Sequence, residues 1–214
     1  MPGRDATFDC IILGAGAAGL MAALTAGQRG RRVLLLDHAE KVGKKILISG
    51  GGRCNFTNLG CTAQNFLSAN RHFAKSALAR YTQHDFLDLV ERHGIGWHEK
   101  TLGQLFCDGP ARQIVDMLLA ECAVGQVDIR LNCKVQEVSR TDGFQVSTDG
   151  GTFQAPALIL ATGGLSIPKM GATGLSHDLA TRFGLPLVDV RPGLVPPTFG
   201  GATGDFMRGL SGVA

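Results

Sequence analysis

Three glycines, Gly14, Gly16 and Gly19, constrain the fold of this 214-residue chain more than any other feature. They follow an apolar run at residues 8–13 and precede small, helix-forming residues at 17–29. This order predicts a buried strand, a tight turn and a helix, which is how a parallel β-α-β unit begins. A second apolar run at residues 32–36 completes the unit, and Asp37 follows it directly.

The glycine spacing and Asp37 together predict a dinucleotide site. Gly14 permits the tight turn, Gly16 lets a pyrophosphate approach the backbone, and Gly19 lets the helix pack closely on the strand. The amino end of the helix supplies free N–H groups and partial positive charge. Asp37 accepts hydrogen bonds from ribose hydroxyls and repels a 2′-phosphate, so FAD and NAD remain open while NADP is disfavoured.

The rest of the chain departs from a plain alternation of strands and helices. Residues 44–58 contain three consecutive glycines and are predicted to form a loop. Apolar runs predict parallel strands at 127–131 and 157–161, and helical spacing predicts helices at 71–81, 83–93 and 111–122. Period-two alternation with turn sequences between predicts a three-stranded β-meander at 134–140, 144–148 and 151–154. The long detours between units of the parallel sheet favour FAD over NAD.

Net charge and cysteine content indicate which binding partners and which cellular compartment to expect. A formal net charge of +3 gives little support for binding nucleic acid, so a small-molecule substrate is expected and the oligomeric state is left open. The six cysteines contain no C-x-x-C pair, which argues against a metal cluster or a disulfide framework and favours the cytoplasm. Residues 10–27 are uncharged, but their glycines favour a strand-turn-helix over a membrane span.

Three motifs carry a resemblance to a known family: residues 14–19 (GAGAAG), 43–58 (GKKILISGGGRCNFTN) and 158–174 (LILATGGLSIPKMGATG). With them the chain resembles the glutathione-reductase-like FAD superfamily. It is most similar to the YhiN/BaiN-type NAD(P)/FAD-dependent oxidoreductases, also described as aminoacetone-oxidase-like. The resemblance covers the chain from about Phe8 onward.

This resemblance implies an α/β fold class: a Rossmann-like FAD-binding domain with a parallel sheet, a three-stranded β-meander and the start of an inserted second domain. Residues 7–190 would be the first part of the FAD-binding domain, and 191–214 would begin the inserted substrate domain. Members of the family are longer, so the chain is expected to lack a C-terminal return and to bind FAD weakly or not at all alone. The residues expected at the cofactor are Gly14, Gly16, Ala17, Ala18, Gly19, Asp37, His38, Lys45, Ser49, Gly50, Gly51, Gly52, Arg53, Cys54, Asn55, Val135, Ala161, Thr162, Gly163 and Gly164.

The glycine-rich loop contains the only candidates for chemistry within the chain. Gly50–Gly52 would expose successive N–H groups as an anion nest, with Arg53 as a fixed cation; the alternative is a solvent-facing hinge. Cys54 is a hypothetical redox-active thiol or covalent flavin anchor, because Arg53 beside it would lower its pKa; the alternative is a cysteine that only packs.

The implied function is hydride transfer between FAD and an unidentified small organic substrate, with NAD(P)H as a transient co-substrate or O₂ as acceptor. Two alternatives stand beside it. One is a flavin-bound scaffold or a protein of the tRNA-modification type, and the other is an inactive fragment of the oxidoreductase.

Overall fold

The computed structural model describes residues 7–193 and 199–210 and contains three β-sheets. In chain order the elements are β1 (Cys10–Leu13), α1 (Ala17–Gln28), β2 (Val33–Leu36), α2 (Lys44–Ile48), β3 (Asn55–Asn58), α3 (Lys75–Arg80), α4 (Gln83–Arg92), β4 (Trp97–Glu99), β5 (Gln104–Cys107), α5 (Arg112–Val124), β6 (Asp128–Arg130), β7 (Val135–Arg140), β8 (Phe144–Thr148), β9 (Gly151–Ala155), β10 (Ala157–Leu160), α6 (Leu175–Arg182) and α7 (Gly201–Gly209).

The central sheet has the strand order β10-β1-β2-β6, and all of its pairings are parallel. All four residues of β1 and all four of β2 are buried, as expected for strands that are covered on both faces. The predicted β-α-β unit and both later parallel strands are therefore confirmed. Parallel order brings the carboxyl ends of β1, β2 and β10 to one edge of the sheet.

Helices α1 and α5 pack against each other over one face of this sheet. Alternate strand residues such as Ile12 and Leu35 share a buried core with Leu20 of α1 and Leu118 of α5. Gly27 permits the close approach, because a Cβ there would lie 2.5 Å from the carbonyl oxygen of Gly125.

Strands β7, β8 and β9 form the predicted antiparallel meander. Val146 and Phe153 are buried within it. The Phe153 ring meets the Phe8 ring edge-on at 6.5 Å between centroids, and the Arg130 guanidinium lies 4.7 Å from the Phe153 centroid. These contacts attach the meander to the central sheet.

The prediction of a loop over residues 44–58 is wrong at both ends. Lys44–Ile48 forms α2, whose Ile46 is buried, and Asn55–Asn58 forms β3, which pairs with β5. Only the turn between them is irregular: Gly50, Gly51 and Gly52 have φ values of +56°, +66° and +87°. The three consecutive glycines predicted this turn correctly, but they gave no indication of the short helix α2 and the short strand β3 on either side of it.

Other boundaries also differ from the sequence prediction. The helix predicted at 71–81 is confined to Lys75–Arg80. Strands β4 and β5 were not predicted from the sequence. In a separate antiparallel sheet, β5 pairs with β3 on one side and with β4 on the other. Strands β4 and β5 have three and four residues, too few to show a clear alternation.

The chain divides into two compact units, Met1–Leu179 and Ala180–Ala214. In the second unit the described residues include α7 and a largely exposed stretch at 180–193. Residues 194–198 and 211–214, which belong to the expected start of the inserted domain, lie outside the described residues. An inserted domain that begins at residue 191 stays a prediction. Among the described residues, no helix has the length and apolar character needed to cross a membrane.

Glu121 joins three helices and is expected to make stability depend on pH. Its carboxylate lies 2.7 Å from Nε2 of His93 and accepts a hydrogen bond of 2.6 Å from Gln28 Nε2. The bond with His93 is the main cause that lowers the pKa of Glu121, followed by the bond from Gln28. A lowered pKa stabilises the fold above the ordinary glutamate pKa, and this contribution is lost as pH falls through the folded-state value.

We therefore expect Glu121→Gln to lower the free energy of unfolding at pH 7 by about 1 kcal/mol, because the hydrogen bonds to His93 and Gln28 lose their charged acceptor. The difference from the parent should shrink as pH falls below about 4. Urea unfolding between pH 3 and pH 7 measures it, with exposed Glu137→Gln as the control. A constant difference across this range would contradict the assignment.

Candidate functional site

A crevice of about 590 Å³ opens where the carboxyl ends of β1 and β2 meet the start of α1. This is where ligands bind in open parallel sheets, and the volume lies within the range of small-molecule and cofactor sites. Its lining residues are Leu13, Gly14, Ala15, Gly16, Ala17, Ala18, Leu36, Asp37, His38, Ala39, Lys41, Gly43, Lys44, Lys45, Ile46, Cys133, Lys134, Val135, Ala161, Thr162, Gly163, Met170, Gly171, Ala172, Thr173, Gly174, Leu175 and Asp178.

The glycines at the base of the crevice have different surroundings. Gly14 has a φ of +107°, and a Cβ on it would lie 2.5 Å from the carbonyl oxygen of Ala161. A Cβ on Gly19 would lie 1.7 Å from the carbonyl oxygen of Gly14. Gly16 has no neighbour within 4 Å of the corresponding position. Gly14 and Gly19 are thus required by the protein's own packing, whereas Gly16 leaves bare backbone facing open space.

Helix α1 begins at this open backbone without a side-chain cap. Its first turn contains no acidic residue, and Ala17 and Ala18 are exposed. The N–H groups of a first helical turn have no partner within the helix, and the helix dipole favours an anion at this end. The uncapped start of α1 can therefore bind an anion through its backbone.

Asp37 at the end of β2 is held in place by the backbone on both sides. Its Oδ2 accepts a hydrogen bond of 2.6 Å from the Ala15 N–H, and its Oδ1 accepts one of 2.8 Å from the Ala39 N–H. Each carboxylate oxygen keeps a further lone pair for a hydroxyl donor. The same side chain that can accept bonds from a ribose also fixes the glycine turn.

The opposite wall is formed by residues that follow β10. The Thr162 and Ser176 hydroxyls lie 2.6 Å apart, and Lys45 Nζ donates a hydrogen bond of 3.0 Å to Ser166 Oγ. Gly171 has a φ of +88°, and a Cβ there would lie 2.9 Å from Nε2 of His38. These contacts hold the wall across from the α1 turn.

The crevice has more basic than acidic side chains. Lys41, Lys44, Lys45 and Lys134 line it, against Asp37 and Asp178. Because Asp37 is bonded to backbone N–H groups, the excess positive charge remains available to a phosphate group.

Most of the predicted cofactor residues meet at this crevice. Those that line it are Gly14, Gly16, Ala17, Ala18, Asp37, His38, Lys45, Val135, Ala161, Thr162 and Gly163. Gly19 packs beneath the Gly14 carbonyl, and Gly164 lies outside the lining. The whole stretch at residues 49–55 also lies outside it, so its expected contact with the cofactor stays a prediction.

The turn at residues 49–55 is bound to β5 and to the chain that follows it. The Arg53 carbonyl accepts a hydrogen bond of 3.0 Å from the Cys107 N–H, and the Gly52 carbonyl accepts one of 2.6 Å from the Ala111 N–H. A Cβ on Gly50 would lie 2.8 Å from the Phe106 ring. The turn is therefore packed against β5, which favours a fixed structure over a solvent-facing hinge.

The expectation that Arg53 lowers the pKa of Cys54 is wrong. Cys54 is 5% exposed and belongs to the core with α1 and α5. Burial raises the pKa of its thiol, and a hydrogen bond with Ser49 offsets this only in part. Burial likewise raises the pKa of Cys107 to about 11. The structure thus favours Cys54 as a packing residue over a reactive thiolate.

The sequence analysis missed part of the lining. Lys41, Lys44 and Lys134 add charge, and Gly171–Gly174 forms a rim. The rim lies within the motif at residues 158–174, which was already recognised in the sequence. Lys134 is the residue directly before Val135, which was predicted to contact the cofactor. The small residues of the rim were the available signal, but which wall they form depends on tertiary structure.

A model described as the HI0933-like protein Rossmann domain matches residues 8–208. The chain belongs to the HI0933-like Rossmann-domain family. In a Rossmann domain the glycine turn after the first strand is the place where a dinucleotide binds, which agrees with the crevice described above.

Curated relatives come from several bacteria. A ribosomal RNA dihydrouridine synthase of Escherichia coli (strain K12) is 54% identical over 208 residues, which is 97% of this chain and 52% of that protein. The synthase of the same name from Haemophilus influenzae is 47% identical over 95% of this chain and 52% of its own length. A 3-dehydro-bile acid delta(4,6)-reductase of Clostridium scindens is 31% identical over 86% of this chain and 46% of its length. The chain spans about half the length of these relatives.

Solved structures share the fold. Glycine oxidase from Geobacillus kaustophilus has a TM-score of 0.59 and 19% identity, over 85% of this chain and 59% of that chain. The open form of a flavocytochrome c3 fumarate reductase has a TM-score of 0.57 and 23% identity, over 84% of this chain and 41% of that chain. These likenesses confirm the α/β fold class. None of the three curated relatives and two structures described above is named an aminoacetone oxidase.

Gly16 and Gly19 provide a matched pair of substitutions. Gly16→Ala should lower FAD affinity by about 100-fold, because its methyl group occupies the space that a pyrophosphate needs, while changing the free energy of unfolding by less than about 1 kcal/mol. Gly19→Ala should cost about 3 kcal/mol or more of stability, because its Cβ meets the Gly14 carbonyl. Urea unfolding of the FAD-free protein and FAD titration measure the two effects. Equal destabilisation by both changes would contradict the assigned roles.

Proposed function

We propose that the protein is an FAD-dependent oxidoreductase that reduces uridine in ribosomal RNA to dihydrouridine. The choice of substrate is supported by one observation, the 54% identity over 97% of this chain to a protein named for that reaction. Binding of FAD is supported independently by the crevice. The near-neutral net charge of the chain favours a small substrate instead. Identity to the relative and the composition of the chain therefore favour different substrates, and we give more weight to the identity.

The residues at the crevice fit the pyrophosphate and the adenosine of FAD, which are the parts that FAD shares with other adenine dinucleotides. The N–H groups at the start of α1 would bind the pyrophosphate, and open backbone at Gly16 leaves room for it. Asp37 would accept the hydroxyls of the adenosine ribose. Lysines at the rim would offset the phosphate charge, and Val135 at the start of the meander lies where adenine is expected.

FAD, when bound, supplies hydride transfer, and the conversion of uridine to dihydrouridine adds two hydrogens across one ring double bond. The described residues contribute binding and orientation. The Thr162–Ser176 contact holds the chain that leaves β10 beside the cofactor crevice. We propose NAD(P)H as the source of electrons, bound transiently, in line with the expectation from sequence.

A second candidate function is the reduction of a small unsaturated carbonyl compound. It is favoured by the 31% identity to the bile-acid reductase of Clostridium scindens. Both candidates use the same cofactor crevice and differ in substrate.

Ribosomal RNA transcribed in vitro tests the first candidate, because it contains no modified nucleosides. With FAD and NAD(P)H, the purified protein should increase the mass of a specific uridine by about 2 Da, measured on nuclease fragments, since two hydrogens are added. The Gly16→Ala variant should leave the RNA unchanged. A flavin-loaded protein that reduces small enones and never alters the RNA would contradict the first candidate and support the second.

A further inference from the structure

Positive charge is concentrated in one stretch of the chain, residues 41–84, which we call the acid-free segment. It contains seven of the 21 Lys and Arg residues and none of the 18 Asp and Glu residues, which leaves fourteen cations against eighteen carboxylates elsewhere. The net charge of +3 conceals this asymmetry. Three of the seven cations, Lys41, Lys44 and Lys45, line the cofactor crevice.

The remaining four cations are Arg53, Arg71, Lys75 and Arg80. Within the described ranges none of these four lies within 4.0 Å of a carboxylate. Outside the segment, Arg112, Arg130, Arg191 and Arg208 each pair with an aspartate, whereas Arg29, Arg31 and Arg32 are exposed and form no ion pair among the described residues. Arg71, Lys75 and Arg80 are also exposed, so their charge faces solvent without a protein counterion.

Large apolar side chains accompany these cations on the surface. Phe66 is 49% exposed, Leu67 97%, Phe73 80% and Tyr81 41%. All four side chains belong to residues 66–81, and a contiguous exposed apolar patch, unlike scattered single residues, marks an interaction site. Aromatic rings that alternate with unpaired arginines are typical of surfaces on which RNA bases stack while phosphates are neutralised.

We infer that residues 66–81 form a docking surface for the RNA substrate, outside the cofactor crevice. The inference rests on the proposed function for its choice of RNA. Arg71, Lys75 and Arg80 would contact phosphates, and the Phe66, Phe73 and Tyr81 rings would contact bases. An anionic membrane is a poorer match, because α3 has only six residues and offers too little apolar face to lie in a lipid interface.

The test compares two triple variants of the protein, each measured in the same excess of FAD. One carries Arg71→Gln, Lys75→Gln and Arg80→Gln. The control carries Lys100→Gln, Arg112→Gln and Arg140→Gln, which removes the same charge from exposed positions outside the segment. None of the six residues lines the cofactor crevice, so both variants should keep FAD and the parental melting temperature.

Binding to a fluorescent, uridine-rich single-stranded RNA should separate the two variants. The segment variant should bind about tenfold more weakly or worse at 0.1 M salt, and the slope of log K against log salt should fall by about 2, because three phosphate contacts are lost. The control should stay near the parent. Equal losses in both variants, or none in the segment variant, would overturn the inference. Tighter binding to anionic vesicles than to RNA would also overturn it.

A single substitution tests the same surface without removing charge. Phe73→Trp places an indole in the proposed docking surface, and Trp97 is the only other tryptophan of the chain. RNA should protect the new indole from acrylamide quenching, whereas an indole that is already protected without RNA would show that protein covers the surface and would overturn the inference.

The two proposals fail in different ways. If the parent reduces uridine in ribosomal RNA but the segment variant binds RNA normally, the docking surface is wrong and the function stands. If the segment variant loses RNA affinity but the parent never produces dihydrouridine, the surface stands and the function is wrong.

Discussion

The close approach of three pieces of backbone at the glycine turn is the constraint on which the rest of the structure depends. The turn at Gly14 packs against the carbonyl of Ala161 on one side and against Gly19 on the other. Neither Gly14 nor Gly19 has space for a side chain. This contact brings the end of β1, the start of α1 and the exit of β10 together. It therefore places the uncapped helix start directly beside the wall formed by residues 161–163.

Asp37 connects this backbone arrangement to ligand binding. Its carboxylate fixes the turn through Ala15 and its own loop through Ala39. Because the carboxylate is already oriented in the cofactor-free protein, little conformational entropy remains to be lost when a ribose binds. Pre-organisation of this kind explains why the motif needs both the glycines and the acid at the end of the next strand.

The distribution of charge separates two surfaces of the same chain. Lysines at the start of the acid-free segment face a crevice suited to phosphates, whereas the cations near its end lie among exposed aromatic rings. Under the proposals above, the first surface would hold the phosphates of the cofactor and the second would contact those of RNA. Negative residues elsewhere keep the total close to neutral, so the net charge of the whole chain does not report this local concentration of positive charge. The expectation of a small substrate stays a prediction.

Sequence reasoning recovered the features that depend on local pattern. The β-α-β unit follows from glycine spacing and apolar runs, and the meander follows from period-two alternation, because those signals act within a few residues. Of the twenty residues that the family resemblance implies for the cofactor, eleven line one crevice, and their contact with a cofactor stays a prediction. The short strands β4 and β5 were missed because each has too few residues to show alternation and because the pairing of β5 with β3 joins segments that are distant in the sequence. The pKa of Cys54 was wrongly expected to fall, since adjacency to Arg53 is visible in the sequence whereas burial in the core is not.

A crystal structure of the protein with FAD tests the central claim most directly. The account predicts that the pyrophosphate oxygens accept hydrogen bonds from the backbone N–H groups at Gly16 and Ala17 and that Asp37 accepts one from a ribose hydroxyl. Electron density that places the pyrophosphate away from the start of α1, with Gly16 facing solvent, would contradict it.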